Sequence, residues 1–306
     1  MKKDELDRLP MLKDCVSFLY IEMATIEQDE FSICIRQGRN EYRVPITEFA
    51  SLLLGPGVSI THAAMKNIAN AGTVVIWCKR NMDGFYTAGR GRTGSSQNLI
   101  MQAKAFADPD VHLRVVRNMY RLRFPDKDTS TLSIRQMQGM EGKRMQDLYE
   151  SLAEKYNVDW TGRNYDVSEF DEQDDINIAI SIGNAIVHDI VHAFLLILGF
   201  STDLGFIHTG NIDSFVYDVA DLYKSEISIP LAFEVASFFI RKDRIEKLIR
   251  EKIHDKINEY GLLSKFPRHM KQLFDGTGAE VFVPNEFSLW TPSEFVNARE
   301  NKYISN

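Results

Sequence analysis

The sequence predicts an α+β protein: a small β domain over residues 1–88, then a larger all-α domain over residues 97–275. Three observations carry this. The first 90 residues hold short runs rich in β-branched and aromatic residues, punctuated by Gly, Asn or Asp. From residue 97 onward apolar residues recur at helical spacing. Between the two lies AGRGRTGSS, Ala88 to Ser96, which follows neither pattern and reads as a linker over 89–96. A chain of 306 residues allows one large domain or two of ordinary size. Its 44% hydrophobic content is ample for a core.

CVSFLYIEMATIEQ, FSICIRQ, YRVPI, TVVIWCK and GFYTA read as strands of an antiparallel β domain. One amphipathic helix, Thr61 to Ala71, interrupts them, and Gly72 is a natural stop. Helices are expected over SQNLIMQAKAFA, DVHLRVVRNMYRLRF, SIRQMQGMEGKRMQDLYESLAEKY, DINIAISIGNAIVHDIVHAFLLILGF, SFVYDVADLYK, the long run from Pro230 to Tyr260, and KFPRHMKQLF. Residues 276–306 mix Gly, Pro and aromatics without period and read as an irregular tail.

A net charge of −7 and a pI near 5.6 argue against a uniformly basic nucleic-acid binder. The distribution is uneven, however. Gly89 to Glu150 carries eleven Lys/Arg against seven Asp/Glu, and Arg241 to Lys271 carries ten against five, so two helical regions are locally basic. Three cysteines without a C-x-x-C pair imply reduced thiols and a cytoplasmic protein. No apolar run follows the first lysines, so no secretory signal is expected. The longest apolar run, Ala193 to Phe200, is far too short for a membrane span.

FIHTGNIDSFVYDVADLYK, Phe206 to Lys224, sets His208, Asp218 and Asp221 among apolar residues. Asp218 and Asp221 are i and i+3 on a helix, so they share a face. Ser214 is the expected N-cap. Mixed O/N donors suit Mg²⁺ or Mn²⁺, and two carboxylates on one stripe need a positive charge between them. The alternative is a satisfied polar cluster in which Asp218 faces solvent and Asp221 is partly buried. Glu141, in QMQGMEGKRMQDL, flanks a Met/Leu face, and Gly142 beside it would permit close approach of a backbone or ligand. The alternative there is an exposed glutamate.

Two motifs are set aside. GRGRTG matches G-x-G-x-x-G, but no βαβ repeat follows and the arginines have no role in a dinucleotide site. HDIVH, His188 to His192, resembles H-E-x-x-H with Asp189 for Glu, a shortening of about 1.5 Å that displaces a general base. Apolar flanks favour core histidines, with a His188/Asp189/His192 metal phosphohydrolase as the rival. Arg114, Arg117 and Arg121 form one helical stripe, and Arg244, Lys247 and Arg250 another. With Lys143, Arg144, Arg163 and Lys224 they offer a phosphate path, and Tyr165 a surface for base stacking.

GMEGKR, GFIHTGNIDSFVYDVADLYK, WTGRNYD, PGVSITHAAM and LRVVRNMYRLRF together closely resemble the CRISPR-associated integrase family of spacer acquisition, the Cas-one family, of the type I-E kind. The resemblance runs from about Leu12 to Leu273. It implies a β-sandwich-like N-terminal domain and an all-α catalytic domain. It implies that Glu141, His208 and Asp221 ligate a divalent Mg²⁺ or Mn²⁺, supported by Asp218, and that Lys143, Arg144, Arg163 and Lys224 line the site. It further implies a homodimer that joins a small partner, Cas-two, in a hetero-hexamer holding a double-stranded DNA prespacer. The reaction implied is transesterification, a prespacer 3′-OH attacking a phosphodiester at the edge of the CRISPR repeat. A non-catalytic DNA-binding scaffold is the remaining alternative.

Overall fold

Residue 23 decides the first strand. CVSFLYIEMATIEQ has continuous β propensity, yet it yields two strands, β1 (Leu19–Ile21) and β2 (Thr25–Asp29), because Met23 adopts φ 48° and turns the chain. The turn is held by Met23 N donating to Pro56 O at 2.9 Å. The computed structural model describes residues 19–30, 32–45, 51–78, 85–89, 95–163, 174–238, 242–278 and 280–283.

Two four-stranded sheets follow. One has the order β1-β5-β7-β8, with β5 (Ser51–Leu54), β7 (Val74–Cys78) and β8 (Phe85–Gly89). The other has the order β4-β3-β2-β6, with β3 (Ser32–Gln37), β4 (Asn40–Pro45) and β6 (Ser59–Ile60). The expected antiparallel arrangement holds for β2–β3–β4 and β7–β8 only. β1–β5, β5–β7 and β2–β6 are parallel. The parallel β5–β7 pair is reached through α1 (His62–Ala71), because a crossover is what brings a second parallel strand alongside the first. β5 was not expected from the sequence: all four residues of SLLL are buried, the continuous apolar run of a covered parallel strand rather than an alternation. Ile26, Ile33 and Ile35 of one sheet, Ile21, Leu52, Leu54 and Val75 of the other, and Ala64 and Ile68 of α1 form one buried cluster, so the unit is sandwich-like. Thr61 caps α1 through Ala64 N, and Gly72 ends it at φ 82°.

β8 runs through Gly89, so the first residue of the expected linker is a strand residue; residues 90–94 lie outside the described part. The βαβ element β5–α1–β7 lies upstream of GRGRTG. The strand that enters that motif, β8, is antiparallel to β7, unlike the parallel strand of a βαβ unit.

The helices are α2 (Gln97–Ala107), α3 (Pro109–Arg123), α4 (Ile134–Tyr156), α5 (Asp175–Leu198), α6 (Ser214–Ala220), α7 (Ser228–Ala236), α8 (Lys242–Tyr260) and α9 (Leu262–Leu273). Asp108 caps α3, and a Ser133/Gln136 capping box starts α4. The single helix expected over 230–260 is two, α7 and α8. α5 is long and apolar enough to cross a membrane, with mean hydropathy 1.7, but 78% of that window is buried inside the protein, as in a core helix.

The protein divides into two compact units: Met1–Ile100 with His192–Ser201 and Phe282–Asn306, and Met101–Val191 with Thr202–Val281. This differs from the expected boundary at residue 97. Asn98 accounts for part of it. Its buried amide donates to Leu198 O and Phe282 O, each at 2.7 Å, and accepts from Phe282 N at 2.8 Å. The end of α5 and residue 282 are thereby tied to the start of α2. Of the expected tail, residues 284–306 lie outside the described part.

Candidate active site

α6 is only seven residues long, and its length sorts the two aspartates. Asp218 falls on its buried face and is 0% exposed. Asp221 is the C-cap, where the carboxylate emerges beside the following turn. The alternative reading, in which Asp218 faces solvent, is thus excluded. Asp218 Oδ2 accepts from Phe206 N and from Ile207 N at 3.0 Å. Its Oδ1 accepts from His208 N at 2.9 Å and lies 2.8 Å from His208 Nδ1. A carboxylate has about four lone-pair sites, and all four are taken. Asp218 therefore holds the 206–208 loop and orients His208; no donor capacity is left for a cation.

Local packing enforces this. At Gly205 a Cβ would lie 2.3 Å from His208 O and 2.7 Å from Ser214, so only glycine fits. Ser214 is the first helical residue rather than the N-cap. Asp213 takes the cap position but its side chain does not cap the helix, and Ser214 Oγ instead donates to Asn211 O at 2.7 Å.

With Nδ1 held by Asp218, His208 keeps Nε2 for another partner, the arrangement by which a carboxylate orients a ligating imidazole. The bond to Asp218 raises the His208 pKa above its ordinary 6.5 even though partial burial opposes this. The protonated form is thus favoured in the fold. Its contribution to stability is fully present below the unfolded-state pKa and is lost as pH rises through the higher folded one. In an NMR titration the His208 ring protons are expected to titrate above 6.5. Asp218→Asn should move the midpoint down, and an unmoved midpoint would disprove the coupling.

Asp221 meets two cations. Lys224 Nζ lies 2.7 Å from Oδ1 and Arg123 Nη2 lies 3.7 Å from Oδ2. Burial works against its charge, but Lys224 and Arg123 hold the carboxyl below the usual carboxylate range. Arg123 was not expected as a site residue. Its side chain is 3% exposed, it donates to Asp218 O at 3.1 Å, and it lies over the Tyr120 ring at 5.3 Å. The available signal was its phase. Val116, Met119, Tyr120 and Arg123 occupy i, i+3, i+4 and i+7, so an arginine stands at a core position of α3.

Glu141 enters from α4 with its side chain 18% exposed. Oε1 lies 3.4 Å from Arg144 Nη2, whereas Oε2 is buried and has no hydrogen-bond partner among the described residues. Arg144 Nη2 also donates to Ser225 Oγ at 3.3 Å, tying α4 to the turn that carries Lys224. Glu141 and Asp221 share one neighbourhood: burial chiefly raises the Tyr120 phenol, and Glu141, Asp221 and Asp218 add to it. Among the described residues no backbone approaches Gly142, since a Cβ there would meet nothing within 4 Å.

A divalent cation suits this donor set. An orphaned carboxylate oxygen on Glu141, Asp221 Oδ2 and His208 Nε2 are hard or borderline donors, and a buried unpaired carboxylate oxygen calls for a positive partner. As they stand, no three His, Cys, Asp or Glu groups among the described residues converge on one point, and Arg144 and Lys224 supply the positive charge.

The rival histidine set is also unconverged. Asp189 is fully buried and His192 nearly so. His188 packs on Tyr217 at 5.1 Å, and Tyr217 on His208 at 5.9 Å. Burial, with Lys224 adding to it, pushes the His188 pKa well below 6.5, so the ring is neutral.

The basic residues disperse. Arg144 and Lys224 reach the centre. Lys143, two positions from Glu141 and so on the other side of α4, pairs with Asp147 and is 65% exposed. Arg163 is committed to α5 through Asn177 Oδ1 at 2.7 Å and Ser181 Oγ at 2.8 Å. Arg244 is exposed and Lys247 stands 3.8 Å from Glu251, the pattern of a solvated helix face, whereas Arg250 is largely buried and pairs with Glu246. Tyr165 lies outside the described residues. Arg114, Arg117 and Arg121 line a cleft on the face of α3 opposite Arg123.

Fold and site together define a protein of the α+β class whose helical unit gathers two carboxylates, an oriented imidazole and three cations, a set suited to phosphate chemistry. The family described as CRISPR associated protein Cas1 matches residues 19–127 and 125–247. The CRISPR-associated endonuclease Cas1 of Clostridium sp. (strain SY8519) is 36% identical over 94% of this chain and 95% of its own length. CRISPR-associated endonuclease Cas1 2 of Thermus thermophilus is 37% identical over 89% and 83%. A solved TtCas1–DNA complex superposes with TM-score 0.68 at 38% identity, covering 88% of this chain and all of that one. A Cas6-RT-Cas1–Cas2 complex shares the fold at TM-score 0.62 and 13% identity, over 91% of this chain and 36% of that one. The chain belongs to the Cas1 family of CRISPR-associated endonucleases.

Proposed function

We propose that this protein is a metal-dependent DNA integrase and endonuclease that inserts short DNA fragments into a CRISPR array. The observation that carries the reading is the orphaned Glu141 Oε2 in the same neighbourhood as Asp221 and an imidazole oriented by Asp218. In the reaction a 3′-OH attacks a backbone phosphorus, the bond from that phosphorus to a 3′-oxygen breaks, and, on balance, the proton lost by the attacking hydroxyl is matched by one gained by the departing 3′-oxygen, which leaves as a new 3′-OH. Glu141, His208 and Asp221 would hold Mg²⁺ or Mn²⁺, which when bound polarises the phosphate and stabilises the departing alkoxide. Lys224, Arg144 and Arg123 supply fixed positive charge where phosphate charge develops. Asp218 keeps His208 in one tautomer, so that Nε2 faces the reacting groups. The DNA-bound relative supports DNA as substrate, and the Cas1–Cas2 neighbour supports a small Cas2 partner. A homodimer assembled with that partner into a hetero-hexamer, in the cytoplasm, completes the reading.

The test is joining of a fluorescent prespacer to a repeat-containing plasmid, with Mg²⁺ or Mn²⁺ against EDTA, with and without the partner. Joining is expected only with metal. Metal-independent joining would remove the ion from the reading, and no joining under any condition would leave a DNA-binding scaffold. Loss of joining in His188→Ala/His192→Ala, with Asp221→Ala active, would favour the phosphohydrolase site instead.

A further inference from the structure

We infer that α3 carries a second phosphate-binding site, separate from the reaction centre, which holds the sugar–phosphate backbone of duplex DNA. This rests on the nucleic-acid reading above and goes beyond it by assigning one surface to one part of the substrate. Arg114, Arg117 and Arg121 project from one face of α3, and with Lys127 of the following loop they line a cleft of about 550 Å³. Arg123, half a helix circumference away, belongs to the other side and serves Asp221. The cleft is therefore not the rear wall of the active site.

Its chemistry selects the ligand. Small-molecule pockets are mostly apolar, whereas this cleft is lined by four cations. Two carboxylates, Asp126 and Asp128, also line it; Asp128 Oδ1 is spent on Ser130 N at 2.9 Å, so the cations prevail. Arg117 is the sharpest sign. It is half-buried, its Nε is buried with no hydrogen-bond partner among the described residues, and no ion pair among those residues engages it. A sheltered guanidinium without an anion calls for one from outside. Among the described residues, Arg121 is held only by an exposed contact to Asp275 at 3.6 Å, and Arg114 by a backbone carbonyl, Gly276 O. A phosphate would displace either contact readily. The stripe rises about 10 Å from Arg114 to Arg121. At 3.4 Å of axis per phosphate on one strand, that matches about three successive phosphates. Arginine's planar fork suits phosphate oxygens, and a backbone carries no sequence information, so the site positions DNA rather than reading it.

The test is fluorescence anisotropy of a labelled duplex with the full-length protein in EDTA over a salt series, which needs no joining activity. Each phosphate contact contributes about 0.9 to the slope of log affinity against log salt. Arg117→Gln/Arg121→Gln is expected to lower the slope by roughly 2, and Arg117→Lys/Arg121→Lys to retain most of it. The exposed single variant Arg121→Gln should lower it by roughly 1, even if the double variant fails to fold. An unchanged slope in a folded Arg121→Gln or double variant, with wild-type protein binding normally, overturns the inference. Failure of the functional reading would look different: normal slopes and arginine dependence, but no joining when metal is restored.

Discussion

Glu141→Gln is expected to slow strand joining by on the order of 10²- to 10³-fold while leaving the melting temperature within about 2 °C of wild type. The two halves of this expectation have separate causes. Glu141 Oε1 makes one partly exposed contact to Arg144 at 3.4 Å, and Oε2 makes none among the described residues, so an isosteric amide removes little that holds the fold. Such changes fall within about 0.5 kcal/mol. A cation, by contrast, needs the negative oxygen that glutamine lacks. Calorimetry alongside a joining assay in Mg²⁺ or Mn²⁺ separates the effects. Wild-type joining by this variant would end the case for Glu141 as a ligand. Asp221→Asn should also abolish joining, but with a loss of stability, because the buried Arg123 would lose its anionic partner.

Asp218→Ala is expected to act on the fold first. Three backbone N–H groups, those of Phe206, Ile207 and His208, would lose their acceptor in a buried place. Each buried unpaired group costs about 1–3 kcal/mol, and loss of a buried charged acceptor about 3–5 kcal/mol in all. The melting temperature should fall on the order of 10 °C. Joining should also be lost, because the loop no longer presents His208. A variant that melts like wild type, and whose only defect is weakened binding of metal, would mean instead that Asp218 is a direct ligand.

Much of the site was legible as pattern. His208, Asp218 and Asp221 stood out as polar residues in an apolar run, and i, i+3 spacing put both acids on one helix. Which acid is buried depends on where α6 ends. It stops at Ala220, too short for both to share one environment. The Arg114/Arg117/Arg121 stripe was legible as a helix face, but not as a face turned away from the reaction centre. Arg163 and Arg250 read as basic and free. Their partners, Asn177, Ser181 and Glu246, are ordinary polar residues with no mark in sequence.

The sequence by itself determined the α+β class, most of the helices, the α1 caps and the four acid and histidine positions. These follow from local causes: side-chain period, turn chemistry, and the conformations allowed to Gly72 and denied to proline. Tertiary structure alone decided that β5 and β7 run parallel, that Asp218 serves the loop while Asp221 meets the cations, and that Arg123 joins the site while Lys143 leaves it. Each of those outcomes turns on desolvation and on pairing between residues distant in the chain. A carboxylate or guanidinium acquires its role from what excludes water around it and which charge lies within reach, and neither is encoded in its immediate neighbours.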